Sequence, residues 1–235
     1  MKWKTPSNQV PRGFDPDEFE DWLWRREKPK EFAQLGKLTD LRNGEIFPSF
    51  DALPNSNSVD LDSFGKVDGR LWCFLGEIVD SMTLHHLALR LTDVDNKNIP
   101  LHFETNDRGS ELTAKQIQKG YTVAVLYAQR RTFTYGDPGI SLEDPHMLKI
   151  FPVSLERLLE LNGQVQQFST SIDGIRTCHG CGKKASSLNR YGKCSLFWYC
   201  DSGCQRTGWE DRGHKPDCKL LKRPDLRGLF FLKWA

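Results

Sequence analysis

Six cysteines and one histidine near the C-terminal end of this 235-residue chain carry its clearest chemistry. They are spaced as Cys178-x2-Cys181, Cys194, Cys200-x3-Cys204 and His214-x3-Cys218, all within 41 residues, while the seventh cysteine, Cys73, stands alone in an apolar stretch. Thiolates are soft donors, and a close pair lets one short loop or helical turn set two sulfurs on one ion. An all-cysteine set would also suit an iron–sulfur cluster, whereas the mixed cysteine and histidine set favours zinc. Clustered cysteines in an intracellular chain point to metal before disulfides. A segment this small has few apolar residues from which to build a core, so metal binding must supply much of its folding free energy.

The same residues carry a family resemblance. The run CSLFWYCDSGCQRTGWEDRGHKPDCKLLKRPDLRGLF is similar to MYND zinc fingers, those of fungal proteins in particular: Tyr199 directly precedes Cys200, and Cys204 is followed by Gln205, Trp209, His214 and Cys218. The resemblance implies two zinc ions held by seven cysteines and one histidine, with ligand pairs interleaved along the chain. Carried over by position, Cys178, Cys181, Cys200 and Cys204 would hold the first ion, and Cys194, His214 and Cys218 the second. One ligand is missing, because Tyr191 stands three residues before Cys194, where the family has a cysteine. Three outcomes are open for that second site: a zinc completed by water or another side chain, an empty site held by other contacts, or a rearranged site using a nearby donor. His179, inside the first CxxC loop, is the closest spare donor. Three protein ligands plus water is also the form of a catalytic zinc site, but no general base or apolar substrate pocket is evident nearby.

By the same resemblance the finger takes short proline-containing peptides. Gln205 and Trp209 would line the groove, and Phe197, Trp198 and Tyr199 would offer a strand edge and aromatic surface. The alternative for Trp198 is that it packs over the zinc knuckle. From residue 164 onward 13 Lys and Arg face 6 Asp and Glu, a balance of +7, while residues 1–163 carry −5. The basic balance admits nucleic acid as a partner, yet scattered lysines are ordinarily a solvated face. A protein partner is therefore the primary expectation.

The elements that must position these groups read as follows. Asp15, Pro16 and Glu18 look like a helix start, with Phe19, Trp22 and Leu23 as its apolar stripe and Phe14 stapling onto Phe19. Residues 28–70, rich in Pro, Asn, Ser and Asp, read as a wrapping segment. Apolar residues then alternate with period two: LWCFLGEIVDSM, HLALRLTDV and IPLHFET form three strands, with Asp and Asn in the turn between the last two. ELTAKQIQKG reads as a short helix ending at Gly120, and YTVAVLYAQ and HMLKIFPV as two further strands. Three strands, a helix, then two strands, with Gly76 bending a long first strand, is similar to the OB-fold, a five-stranded Greek-key barrel. SLERLLELNG closes this domain as a helix, with Gly163 as its stop.

The expected fold is thus α+β. Residues 1–70 form an N-terminal helix and wrapping segment, 71–163 an OB-like barrel, 164–177 a linker, 178–218 the finger and 219–235 a tail. An OB-like barrel could bind single strands by aromatic stacking, with Phe133 and Tyr135 beside Arg130 and Arg131 as the residues to do it. The negative balance of residues 1–163 disfavours phosphate, so protein docking is the better reading. His85, His86 and His102 have no Cys or carboxylate at ligand spacing and read as ordinary strand histidines. The apolar tail is expected to dock through Leu229, Phe230, Phe231 and Trp234.

No eighteen-residue apolar run and no secretory signal pattern are present, so neither a membrane span nor secretion is expected. The chain has no GxSxG, no GxxxxGK[ST], no HExxH and no dinucleotide glycine pattern. MYND fingers elsewhere accompany methyltransferase domains, but residues 1–163 are too short for one. The sequence therefore predicts a non-enzymatic, zinc-binding adaptor in the nucleus or cytoplasm, with one or two zinc ions and a protein partner. Single-stranded nucleic-acid binding is the alternative.

Overall fold

In the computed structural model, residues 38–56, 71–83, 85–134 and 136–231 are described. The expected helix at residues 14–26, most of the wrapping segment, Tyr135 and Trp234 lie outside them. The chain divides into two compact units, one containing Arg42–Leu158 and the other 38–41 with 159–231.

The first unit is built on a curled seven-stranded sheet. Its strands are β1 (Cys73–Thr83), β2 (Leu87–Thr92), β3 (Asn98–Phe103), β4 (Thr122–Leu126), β5 (Arg130–Arg131), β6 (Gly139–Leu142) and β7 (Leu148–Phe151). They lie in the order β5-β6-β3-β2-β1-β4-β7. Strict alternation puts Leu87, Leu89 and Leu91 of β2 and Ile99, Leu101 and Phe103 of β3 in the core, as period-two patterning requires. β1 is long enough to serve two neighbours. Cys73–Glu77 pair with β4, and Glu77–Thr83 pair with β2.

The sheet has seven strands where the sequence reading has five. The loop between the last two expected strands contains β5 and β6, and β6 runs parallel to β3 while β7, a few residues on, is antiparallel to β4. Gly139 lets β6 approach, since a side chain there would overlap the carbonyl oxygen of Pro100. In β1 the register shift lies between Ile78 and Asp80 rather than at Gly76. A Cβ on Gly76 would stand 3.0 Å from the Phe74 ring and 3.2 Å from Leu91 Cβ, so its smallness makes room in the core.

The expected helix over 111–120 is a series of turns. Gln116 closes back onto the backbone and hydroxyl of Thr113 at 2.9 and 2.7 Å. Gly120, at φ +83°, gives its N–H to Ile78 of β1. The backbone that would have extended a helix is instead engaged by the sheet.

One buried carboxylate fixes the front of this unit. Asp93, 3% exposed, accepts the N–H groups of Phe50, Asp95 and Lys97 at 2.9 to 3.0 Å. It shapes the β2–β3 turn and draws the short 3-10 turn Phe50–Ala52 from the wrapping segment onto it.

Helix α1 (Leu155–Ser169), most of which belongs to the second unit, passes through Gly163 where the sequence predicts a stop. Leu161 and Val165 are fully buried, so apolar spacing carries the helix on and the residue read as a stop is a solvent-facing position. Asn162 holds residues 39–41 against α1, accepting the N–H of Leu41 and donating to the Thr39 carbonyl, both at 3.1 Å. The described part of the tail, up to residue 231, is folded into this unit. Leu226, Leu229 and Phe230 of the last helix, α4 (Pro224–Phe230), are fully buried, and the Phe230 carbonyl accepts from Thr39.

Asp93→Ala would leave the buried Phe50 N–H unpaired and release the N–H groups of Asp95 and Lys97 in an exposed turn. Because an unsatisfied buried donor costs roughly 1–3 kcal/mol, this substitution is expected to destabilise the sheet by about 1–3 kcal/mol. Hydrogen exchange of the β2 and β3 amides reads the loss.

Candidate metal centre

Two groups of metal-ligating side chains gather in the second unit. Sγ atoms of Cys178, Cys181, Cys200 and Cys204 lie within 4.8 Å of one another, and so do the ligand atoms of Cys194, His214 and Cys218. These are the two groupings that the resemblance implies by position. Among the described residues no third group of this kind occurs. His86 and His102 form only a pair, Nε2 to Nδ1 at 3.4 Å. Cys73 is a buried thiol whose pKa is pushed up by desolvation.

The first group is placed by two elements. β8 (Arg176–Thr177) and β9 (Lys184–Ala185) form a small hairpin with Cys178-x2-Cys181 in its loop. The Gly182 N–H bonds to the Cys178 carbonyl at 2.8 Å, with Gly182 at φ +77°, and Cys178 N–H bonds to Lys183 at 2.8 Å. From the other side, Cys200 ends the strand β11 (Trp198–Tyr199) and Cys204 lies in the first turn of α2 (Ser202–Glu210). Asp201 caps that helix, its carboxylate accepting the Cys204 N–H at 2.8 Å. Gly180 admits the helix, because a side chain there would overlap the Cys204 carbonyl.

These four residues fit zinc. A tetrahedral ion with four sulfurs at about 2.3 Å sets its S···S edges near ~3.8 Å, and Cys181 Sγ and Cys200 Sγ are 3.7 Å apart. The electrostatics agree. Burial raises the Cys178 pKa, but the N–H groups of Cys181, Cys200 and Gly180 aimed at its sulfur bring it down to about 7. Desolvation and the neighbouring sulfurs hold Cys200 up at about 11, and bonding to Cys181 with desolvation holds Cys204 up at about 12. Four thiolates this close require a cation between them.

The second group is one ligand short. β10 (Asn189–Arg190) and β11 form a hairpin whose loop carries Tyr191 and Cys194, while α3 (His214–Leu221) supplies His214 and Cys218 one turn apart. Cys194 Sγ and His214 Nε2 are 3.2 Å apart. Tyr191, 8% exposed, lies beside Cys218, and its ring meets the His214 ring edge-on with centroids 4.6 Å apart. Burial and the adjoining cysteines raise the Tyr191 pKa to about 12. The protein thus offers a complete four-sulfur site and a second Cys–His–Cys set, a capacity of one or two zinc ions.

Between the two groups runs a polar chain that sequence reasoning missed. The Tyr199 hydroxyl lies 2.8 Å from His214 Nδ1 and 3.2 Å from His179 Nδ1. A single hydroxyl proton can satisfy only one of them, so one Nδ1 is protonated and the other is not. Burial lowers both histidine pKa values to about 4, leaving the pair neutral near pH 7. His179 is therefore no substitute ligand: it stacks on Phe197 with ring centroids 4.1 Å apart and bonds to Tyr199. Gly208 of α2 makes this possible, since a Cβ there would strike the Tyr199 ring and stand 3.0 Å from His179 Nδ1.

The expected peptide residues divide. Gln205 is exposed and Trp209 half-buried, one turn apart on α2, with Trp209 packed on Tyr191 and His214. Phe197 and Tyr199 are buried, so the aromatic surface expected there is interior. Trp198 is half-buried, with the Arg176 guanidinium 4.2 Å over its ring and Arg190 at 5.9 Å. Its carbonyl accepts the His179 N–H, which uses the strand edge. In the first unit, Arg130 and Arg131 face the carboxylates of Asp51 at 3.7 Å and Glu104 at 2.8 Å, and Phe133 packs on His102.

Two outcomes follow for the metal. Chelation of zinc from the full chain should abolish amide protection over residues 176–221 while β1–β4 remain protected, as hydrogen exchange would show. Asp201→Ala removes a helix cap worth about 1 kcal/mol, which corresponds to roughly fivefold easier zinc loss to a competing chelator.

Comparison with known proteins bears on this unit alone. Histone-lysine N-methyltransferase SMYD1 of Homo sapiens is 41% identical over 46 residues, and its Mus musculus counterpart Smyd1 is 39% identical over 46 residues. Histone-lysine N-methyltransferase ASHR1 of Arabidopsis thaliana is likewise 39% identical over 46 residues. Each match spans 20% of this chain and 9% of the relative. It covers the finger only, so no methyltransferase activity is shown for this protein. The family model of the MYND finger matches residues 178–218, and this segment is a MYND zinc finger, a zinc-binding protein-interaction domain.

Proposed function

We propose that the protein is a non-enzymatic adaptor whose finger captures a proline-containing peptide while the sheet unit serves as an OB-like scaffold. The observation that carries this reading is the exposed face of α2, where Gln205 and Trp209 stand one turn apart beside a metal-held strand. An amide that can both donate and accept, next to a half-exposed indole, suits an extended apolar peptide with free carbonyls. Proline fits such a surface because its backbone is already extended and little order is lost on binding. Trp198 contributes differently from what its aromaticity suggests: with the Arg176 and Arg190 guanidiniums against its ring, it stiffens the hairpin.

The scaffold reading is supported by connectivity. A β1–β2–β3 meander, β4 beside β1, and a 139–151 segment that pairs parallel with β3 and then antiparallel with β4 is OB-like, with the fifth strand broken into β6 and β7. Arg131 has its charge offset by Glu104, and Asp51 offsets one of the two charges of Arg130 and Lys97, a reduced field that favours protein over nucleic acid as the ligand of this unit. An intracellular location, nucleus or cytoplasm, goes with a thiol-rich metal finger.

Titration of the full chain with a proline-rich peptide tests the proposal. Saturable binding that changes little between 50 and 200 mM salt is expected, and Gln205→Ala should weaken it about five- to tenfold, as for a lost hydrogen bond, with no change in thermal stability. Failure of a panel of such peptides to bind, together with oligonucleotide binding that weakens steeply with salt, would overturn it.

A further inference from the structure

Within the finger, the backbone repeats itself. Residues 178–182 form a turn in which the fifth residue donates its N–H to the carbonyl of the first at 2.8 Å and has φ +77°. Residues 191–195 do the same: Ser195 donates to Tyr191 at 3.0 Å and has φ +59°. In the first turn, positions one and four are Cys178 and Cys181; in the second they are Tyr191 and Cys194. Tyr191 therefore occupies the ligand position of a zinc knuckle, but with a side chain of different reach. A phenol oxygen stands a ring's length farther from its Cα than a thiol sulfur does, so where a sulfur would meet an ion, tyrosine places its ring.

The neighbours accommodate that ring. It lies edge-on to His214 at 4.6 Å and against Trp209 at 5.8 Å, with Cys218 beside it. Cys194 and His214 pair with each other as well. Zinc binding sulfur at about 2.3 Å and nitrogen at about 2.05 Å would separate the two atoms by roughly 3.6 Å, whereas Sγ and Nε2 stand 3.2 Å apart, within hydrogen-bonding distance. The far side of His214 is occupied by the Tyr199 hydroxyl at 2.8 Å. Cys194 and His214 are thus partnered with each other, and both ring nitrogens of His214 are engaged.

We infer that the protein holds one structural zinc, in the four-cysteine site, and that the Cys194–His214–Cys218 cluster is a metal-free knot closed by Tyr191. The ring takes the place of the second ion and supports Trp209 from beneath. This inference stands independently of what the finger binds.

Zinc content of the purified full chain tests it, measured by elemental analysis and by native mass spectrometry after excess metal is removed. One ion per chain is expected for the wild type and for Tyr191→Phe, and two for Tyr191→Cys, which restores a sulfur at the knuckle position. Zinc X-ray absorption of the wild type should show an all-sulfur shell and requires no variant to fold. Two tightly held ions in the wild type, a nitrogen or oxygen ligand in the absorption shell, or a folded Tyr191→Cys chain that still holds one ion would each overturn the inference.

Discussion

The demand that four thiol sulfurs sit within 4.8 Å of one another governs the C-terminal unit. Without a cation, such a group cannot share its negative charge. Backbone N–H groups favour the thiolate at Cys178, while Cys200 and Cys204 are held protonated. Zinc removes that conflict and releases the protons, so the metal is a folding partner of the segment and its affinity is coupled to pH. Everything that brings the sulfurs together also lets backbones come close: Gly180 against Cys204, Gly182 in a left-handed turn, Asp201 fixing the first turn of α2.

A second constraint follows from the first. Once a hairpin and a helix are clamped at one end by metal, their other ends converge on buried polar groups that must be satisfied. Tyr199, His179 and His214 solve this as a chain: one hydroxyl between two ring nitrogens, with Gly208 leaving space for the phenol. The chain itself adds no charge, since both imidazoles are neutral near pH 7. Buried networks of this kind specify a single packing because each member loses its partner if any other moves.

Legibility in the sequence tracks the range of the interactions involved. The ligand groups were readable because metal chemistry fixes residue type and local spacing at Cys178-x2-Cys181 and Cys200-x3-Cys204. Strands β1 to β4 were readable because half-buried strands alternate. What escaped depends on partners distant in sequence. β6 is only four residues long and exists through parallel pairing with β3, some forty positions earlier, and nothing in GISL marks it. Gly163 read as a stop because local propensity favours one, yet Leu161 and Val165 continue the apolar stripe and tertiary burial prevails. His179 looked like a spare ligand because proximity in sequence says nothing of Tyr199, twenty residues away. The turn at 111–120 shows the same effect in reverse: helical residues whose backbone is drawn to Ile78.

How a finger could give up one of its ions is answered by what surrounds it. An isolated segment of 41 residues has too little apolar surface to fold on burial alone, and losing a metal there would be ruinous. This finger is not isolated within its unit. Phe168 of α1 packs edge-on against His179 and Phe197, with centroids 4.8 and 6.3 Å apart, while Leu221, Leu226, Leu229 and Phe230 of α3 and α4 are fully buried. Burying such a side chain contributes roughly 1.5–3 kcal/mol, and each aromatic pair around Tyr191 adds about 0.5–1.5 kcal/mol. Several such contributions together reach the scale of about 10 kcal/mol at which a structural zinc stabilises a small finger. The flanking helices, whose residues 164–169 and 219–230 the sequence presents as linker and tail, are thus what makes a tyrosine tolerable at a ligand position. Sequence departures from a metal motif are best judged against the apolar surface that neighbouring elements bring to the same unit.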